Sequence, residues 1–352
     1  MPFELNEKIK SMEPYEPLTG NYRIRLDANE SFVPPADEVM ADIKAAVDAM
    51  HFNRYPDSAA VELCSLAAAY YGVKPQNLTA GNGSDDLISV IMNAFTQKGD
   101  KILTFSPDFS MYAFYSGLIE CTCVTMPKRD DFTIDVDAAI ALANSEQVRL
   151  IIFSNPCNPT SIGLGAADVM KLIQNVSALV VLDEAYMDFF GQSLVTATEE
   201  FDNLIVLRTL SKAMGMAAVR LGFAVTNPML TNAVRVAKSP YNVNAVSQAI
   251  GCAVLSHTEY IQHAITRINA SRDMLFAELK RLQKDLAGKI TPVAADANFV
   301  FAKADNAGEL FEALKKSGII IRRFGDYIRV TAGRNLENIE VITAIERYYG
   351  RK

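Results

Sequence analysis

The chain has 352 residues, half of them apolar and 21% charged, enough to bury a large core spread over two domains. A net charge of −7 without a basic run sets aside nucleic acid and anionic membranes as partners, although one pocket can still be basic. The cysteines (Cys64, Cys121, Cys123, Cys157, Cys252) fit no zinc spacing, and His51, His257 and His263 have no Ser, Cys or Asp placed for a triad, which argues against hydrolase and His–metal chemistry.

The N-terminus lacks the apolar core of a signal peptide, and no apolar run reaches the roughly 18 residues of a membrane span, so a cytoplasmic location is expected. The first fifty residues carry few strand signals and are expected to pack against the C-terminal part. Gly81-Asn82-Gly83-Ser84-Asp85-Asp86 then leads into a helical pattern over 85–97. Glycines allow close backbone approach, and a helix start offers N–H groups to a phosphate. A bare N-cap accounts equally well for Ser84 or Asp85 alone.

From here short apolar runs alternate with amphipathic segments. The runs are 101–105, 149–154, 178–183, 203–209 and 221–226, and they are continuous rather than alternating. That is the signature of strands covered on both faces, so an α/β domain around a mostly parallel sheet is expected. Helical patterns such as 166–176 lie between them. Ligands of such sheets gather beyond the carboxyl ends of the strands.

Three loops follow those ends. In Ser154-Asn155-Pro156-Cys157-Asn158-Pro159-Thr160 two prolines fix a bend that holds Asn158 over a pocket, or simply make a turn. Val181-Leu182-Asp183-Glu184-Ala185-Tyr186 places an acid at the end of a buried run. Burying it requires a positive partner, such as a protonated pyridine nitrogen, unless the strand end is solvated. Thr209-Leu210-Ser211-Lys212-Ala213-Met214-Gly215 puts a lysine between hydroxyls and small residues, with Arg220 beyond. Thr209, Ser211 and Arg220 suit a phosphate, and Lys212 suits an imine with an aldehyde if its pKa is lowered. A lone lysine would read as solvated; its surroundings change that reading.

A long amphipathic stretch over 246–286 follows, then the strand 297–304, the helix 307–318, the strand-rich 319–333 and a last helix from Asn335, which together read as a smaller α+β domain. Arg322, Arg323 and Arg329 lie there. Their guanidinium groups suit carboxylate or phosphate, or else an exposed strand face, which is the preferred reading for Arg323.

Taken together, T-L-S-K-x-x-G-x-A-x-x-R-x-G at 209–222, N-P-x-N-P-T at 155–160 and D-E-A-Y at 183–186 resemble the fold-type I aminotransferases that use pyridoxal 5′-phosphate (PLP). L-D-A-N-E at 26–30 and N-R-Y-P-D at 53–57 favour their histidinol-phosphate branch, and the resemblance spans nearly the whole chain in order. It implies a large PLP-binding domain over 48–254 and a small domain from 1–47 and 255–352. Lys212 is implied as Schiff-base lysine and proton shuttle, and Asp183 as the partner of the pyridine nitrogen. Tyr186 and Asn158 are implied on the ring oxygen, with Phe109 stacked on the ring. The backbone at Ser84 and Asp85, with Thr209, Ser211 and Arg220, is implied on the phosphate. Tyr55 is implied to reach the cofactor of a second subunit, which makes the expected protein a homodimer with a shared site. Arg329 is implied on the substrate's anionic group, with Arg322, Tyr15 and Asn29 lining the substrate pocket.

The implied reaction is a ping-pong transamination between an amino donor and a 2-oxo acid, histidinol phosphate and glutamate being the leading pair. Aromatic amino-acid transamination, decarboxylation of threonine phosphate and a non-catalytic PLP-binding regulator are the other readings. Phe109, Cys157, Ser161 and Ser31-Phe32 depart from the family's commoner residues. None of them touches the core formed by Lys212, Asp183, Tyr186 and Arg220.

Overall fold

The computed structural model describes residues 3–10, 12–14, 18–293 and 295–350. Its strands in chain order are β1 (Ile24–Arg25), β2 (Leu78–Gly81), β3 (Lys101–Ser106), β4 (Thr122–Pro127), β5 (Leu150–Ser154), β6 (Leu179–Asp183), β7 (Leu204–Thr209), β8 (Gly222–Thr226), β9 (Ile290–Pro292), β10 (Phe299–Ala304), β11 (Ile319–Ile320), β12 (Arg322–Phe324) and β13 (Tyr327–Thr331). Seven of them form one sheet in the order β2-β8-β7-β6-β5-β3-β4. The run from β7 to β4 is parallel, whereas β8 is antiparallel to both of its neighbours.

The continuous apolar runs are explained by two-sided burial. Ile151 and Phe153 of β5 join one apolar cluster, while Leu150 and Ile152 join another on the opposite face. All four are 0% exposed. Each such side chain, fully buried, stabilises the fold by about 1.5–3 kcal/mol. The edge strand β4 is only partly buried, so it shows no apolar run in the sequence. The other edge, β2, is buried but only four residues long, with Leu78 its single large apolar side chain.

The reversed strand β8 matters for the site. Thr209 at the end of β7 pairs with Gly222 at the start of β8, and Gly81 at the end of β2 pairs with the same residue. Reversal therefore brings the residues just before β8 to the edge where β2, β5, β6 and β7 end. Gly222 is required there, because a Cβ on it would lie 2.4 Å from the Ser84 nitrogen.

A second sheet, β12-β13-β10-β9, is antiparallel and has its own apolar cluster, including Leu275, Val300, Leu310, Ile328 and Ile345. The expectation for the first fifty residues holds in part. β1 pairs in parallel with β11, and Ile24 and Leu26 join this second cluster. Val33 and Val39, however, join the larger cluster, where the helix Asp37–Asp48 packs on the helix Ala245–Leu255. The stretch 246–286 is two helices, Ala245–Leu255 and Thr258–Asp285, broken at Ser256-His257. No glycine or proline marks that break. Among the described residues no helix is long and apolar enough to cross a membrane.

Candidate active site

A cavity of about 710 Å³ opens at the carboxyl edge of the large sheet, against β12 and β13 of the second sheet. Among the described residues, every sequence-predicted site residue lines it except Tyr55. Tyr15 lies outside the described residues. Tyr55 is 80% exposed and stacks on Tyr241, with ring centroids 4.5 Å apart.

Lys212 is half-buried in the loop between β7 and β8, and its Nζ donates to the Ala28 carbonyl at 3.0 Å. Withdrawal from water lowers its amine from 10.5 to about 8, and Arg329 pushes the same way. This is the lowered pKa that imine chemistry needs.

Asp183 ends β6 and is 4% exposed. Tyr112 Oη donates to its Oδ2 at 2.9 Å and the Ala185 N–H to its Oδ1 at 3.1 Å. Burial raises its carboxyl from 3.8 to about 6, with both hydrogen bonds opposing the rise. Among the described residues no lysine or arginine forms an ion pair with it. A buried carboxylate without a cation is costly, and its position on the cavity wall suits a cationic ligand. The solvated-strand-end reading is thereby ruled out.

Asn158 has its amide oxygen held by Arg329 Nη1, which leaves the amide nitrogen as the group available to donate. Tyr186 Oη accepts from Asn29 Nδ2 at 2.9 Å, and burial pushes its phenol up. Phe109 stands edge to face with Tyr112, centroids 5.5 Å apart.

Ser84 and Asp85 are the first two residues of the helix Ser84–Phe95, and Gly83 occupies the cap without a side-chain bond. The N-cap reading is therefore replaced by one in which backbone N–H groups face the cavity edge. Ser211 Oγ accepts from Thr209 Oγ1 at 3.0 Å and from Arg220 Nη1 at 3.5 Å. Gly83 (φ +91°) lets that guanidinium close in, since a Cβ there would sit 2.8 Å from Arg220 Nη2. Helix start, two hydroxyls and a guanidinium together make an anion cradle.

Arg329 faces inward. It is 6% exposed, and its Nη2 donates to the Asp27 carbonyl at 2.5 Å. Arg322 is its register partner across β12–β13 and also lines the cavity. Arg323 alternates outward and is exposed, as preferred from the sequence.

The profile of the family described as aminotransferase class I and II matches residues 23–345. The chain belongs to this family. A histidinol-phosphate aminotransferase of Clostridium novyi is 40% identical over 343 residues, covering 96% of this chain and 95% of that one. A second, from Clostridium kluyveri, is 38% identical over 346 residues, covering 97% of each. Among solved structures, the histidinol-phosphate aminotransferase of Sinorhizobium meliloti in complex with pyridoxal 5′-phosphate shares the fold at a TM-score of 0.87. It is 23% identical and covers 98% of this chain and 97% of that one.

Sequence reasoning missed two contributors to this aminotransferase site. Tyr112 is fully buried and orients Asp183; its only signal was a tyrosine three residues after Phe109, one helical turn on. Arg208 forms buried ion pairs with Glu184, at 3.0 Å, and with Asp188, bracing the loop that carries Asp183 and Tyr186. Inside an apolar run, Arg208 was itself the signal, because a buried arginine implies buried acids.

Proposed function

We propose that this aminotransferase binds PLP in the cavity and moves an amino group between histidinol phosphate and 2-oxoglutarate, or between glutamate and imidazole-acetol phosphate. The observation that carries the reading is the pairing, across one cavity, of a lysine whose amine is lowered to about 8 with a buried carboxylate that has no ion pair among the described residues. Relatives that are 40% and 38% identical over nearly the whole chain bear the histidinol-phosphate aminotransferase name, which supports the choice of substrate.

The residues present fit the cofactor. Asp183 would keep a proton on its ring nitrogen, and Asn158 and Tyr186 would hold its ring oxygen. Phe109 would cover a ring face, and the 84–85 backbone with Thr209, Ser211 and Arg220 would hold its phosphate. When bound, PLP supplies an aldehyde for the lysine and an electron-withdrawing ring. Lys212, close to half neutral near pH 8, then takes a proton from the substrate α-carbon and later returns one. Arg329 and Arg322 would hold the substrate's anionic group, with Asn29 beside them.

The same reading makes the protein a cytoplasmic homodimer. Tyr55 supports the shared site, because it is exposed and does not line its own cavity. Single-turnover absorbance with a panel of amines tests the substrate. Histidinol phosphate and glutamate should each bleach the lysine-bound cofactor band. Carbon dioxide release without use of 2-oxoglutarate, or a preference for aromatic amino acids, would sink it.

A further inference from the structure

Behind the cavity wall lies a second buried lysine, outside every role assigned so far. Lys128 follows β4, and its side chain and that of Asp108 are each 2% exposed. Its Nζ donates to Asp108 Oδ2 at 3.2 Å and to Cys157 Sγ at 2.9 Å. Burial works against its charge, yet Asp108 and Cys157 hold the ammonium above its ordinary value, so it stays protonated. It is therefore not a second imine-forming amine.

Asp108 is the hub. Its Oδ1 accepts the Phe109 N–H at 2.8 Å, the Ser154 N–H at 3.3 Å and the Ser154 hydroxyl. Ser154 Oγ in turn accepts the Asn158 N–H at 3.0 Å. One carboxylate thus fixes the backbone of Phe109 and, through a single hydroxyl, that of Asn158. These are the two residues assigned to the cofactor's ring face and ring oxygen. A carboxylate turned away from Lys128 would lose the one ion pair it makes among the described residues, and a buried charge without a cation is costly. Lys128 sets the direction of Asp108, and Asp108 sets the wall.

We propose that Lys128 and Asp108 are a positioning pair for the PLP ring, acting through Ser154 to aim the Asn158 amide at the ring oxygen. The proposal rests on the cofactor reading above. A donor on the ring oxygen favours its anionic form, so mis-aiming Asn158 raises the pH at which the lysine-bound cofactor changes colour.

The test is a pH titration of the visible band in PLP-loaded protein, with thermal melting run in parallel to show that each variant folds. The double variant Lys128→Met with Asp108→Asn removes both charges and orphans neither. Its midpoint should move up by about one pH unit, the tenfold weakening expected when one aimed hydrogen bond is lost. It should match Asn158→Ala, while Lys128→Arg should restore the wild-type midpoint. A folded double variant that keeps the wild-type midpoint while Asn158→Ala shifts overturns the positioning role alone. Wild-type protein that shows no visible band with PLP overturns the cofactor reading instead. Should the double variant fail to melt cooperatively, Ser154→Ala, which removes the hydroxyl that links Asp108 to the Asn158 N–H without orphaning a charge, carries the same expectation, and its unchanged midpoint would likewise overturn the proposal.

Discussion

Withdrawal from water takes Lys212 down to about 8, while a carboxylate and a thiol hold Lys128 up although its side chain is buried. The same side chain is driven toward opposite charge states by what it meets. Imine formation is the work of the neutral amine, whose fraction grows as pH rises through the pKa. Cofactor-free protein mixed with a simple aldehyde should react faster through a midpoint near 8 and level off above it, as followed by absorbance. An unperturbed lysine would keep accelerating to about pH 10.4. Lys212→Ala should lose the band and all turnover. Tyr112→Phe removes a donor from buried Asp183, a bond to a charged group of about 1.5–3 kcal/mol. Titration of the cofactor-free variant with PLP should give an affinity at least tenfold weaker, and an unchanged affinity would exclude an orienting role.

Among the elements, the inner strands were legible because burial on both faces writes an unbroken apolar run. Edges were not. β4 faces solvent on much of its length and β2 is four small-to-medium residues, so neither stands out from a loop. The break between the helices Ala245–Leu255 and Thr258–Asp285 was hidden because Ser256-His257 carries no punctuating residue. The loop motifs at strand ends were legible, since each pairs a chemically active residue with prolines, hydroxyls or small neighbours. Gly222 shows what such a pattern encodes. With an alanine there, the added carbon would meet the Ser84 nitrogen, and β8 and the helix start would have to separate. Gly222→Ala should destabilise the protein by about 1–3 kcal/mol in urea unfolding. It should also weaken PLP more than pyridoxal, because only the phosphate needs the cradle. Equal losses for both would assign the glycine to packing only.

Across the whole molecule, residues 26–30 tie the two sheets together. Leu26 N–H donates to Ile320 and Thr331 N–H to Leu26, while the Asn29 side chain reaches Tyr186 and the Asn29 carbonyl accepts from Asn298. The sequence showed L-D-A-N-E as a motif but not this bridging, because every partner is more than a hundred residues away. Nor did it show Tyr112 on Asp183, a contact made across 71 residues of chain. Thr331 exchanges two 3.1 Å bonds with Asn29, both residues being buried. Thr331→Val keeps the shape and orphans the Asn29 groups, at a cost of about 1–3 kcal/mol. The urea midpoint should fall accordingly and KM should rise, with little change in the cofactor spectrum. A variant as stable as the parent would show that the segment does not depend on this contact.

The reversed strand β8 also has a kinetic meaning. Lys212 and Arg220 hang on the single connection between β7 and β8, whose pairing runs from Ile205–Thr226 to Thr209–Gly222. Opening this hairpin releases both residues at once, and gripping either one resists the opening. Hydrogen–deuterium exchange of the amides over 205–226 should therefore slow as one block when PLP enters, rather than strand by strand. The lysine and the phosphate grip would be gained and lost on a common clock.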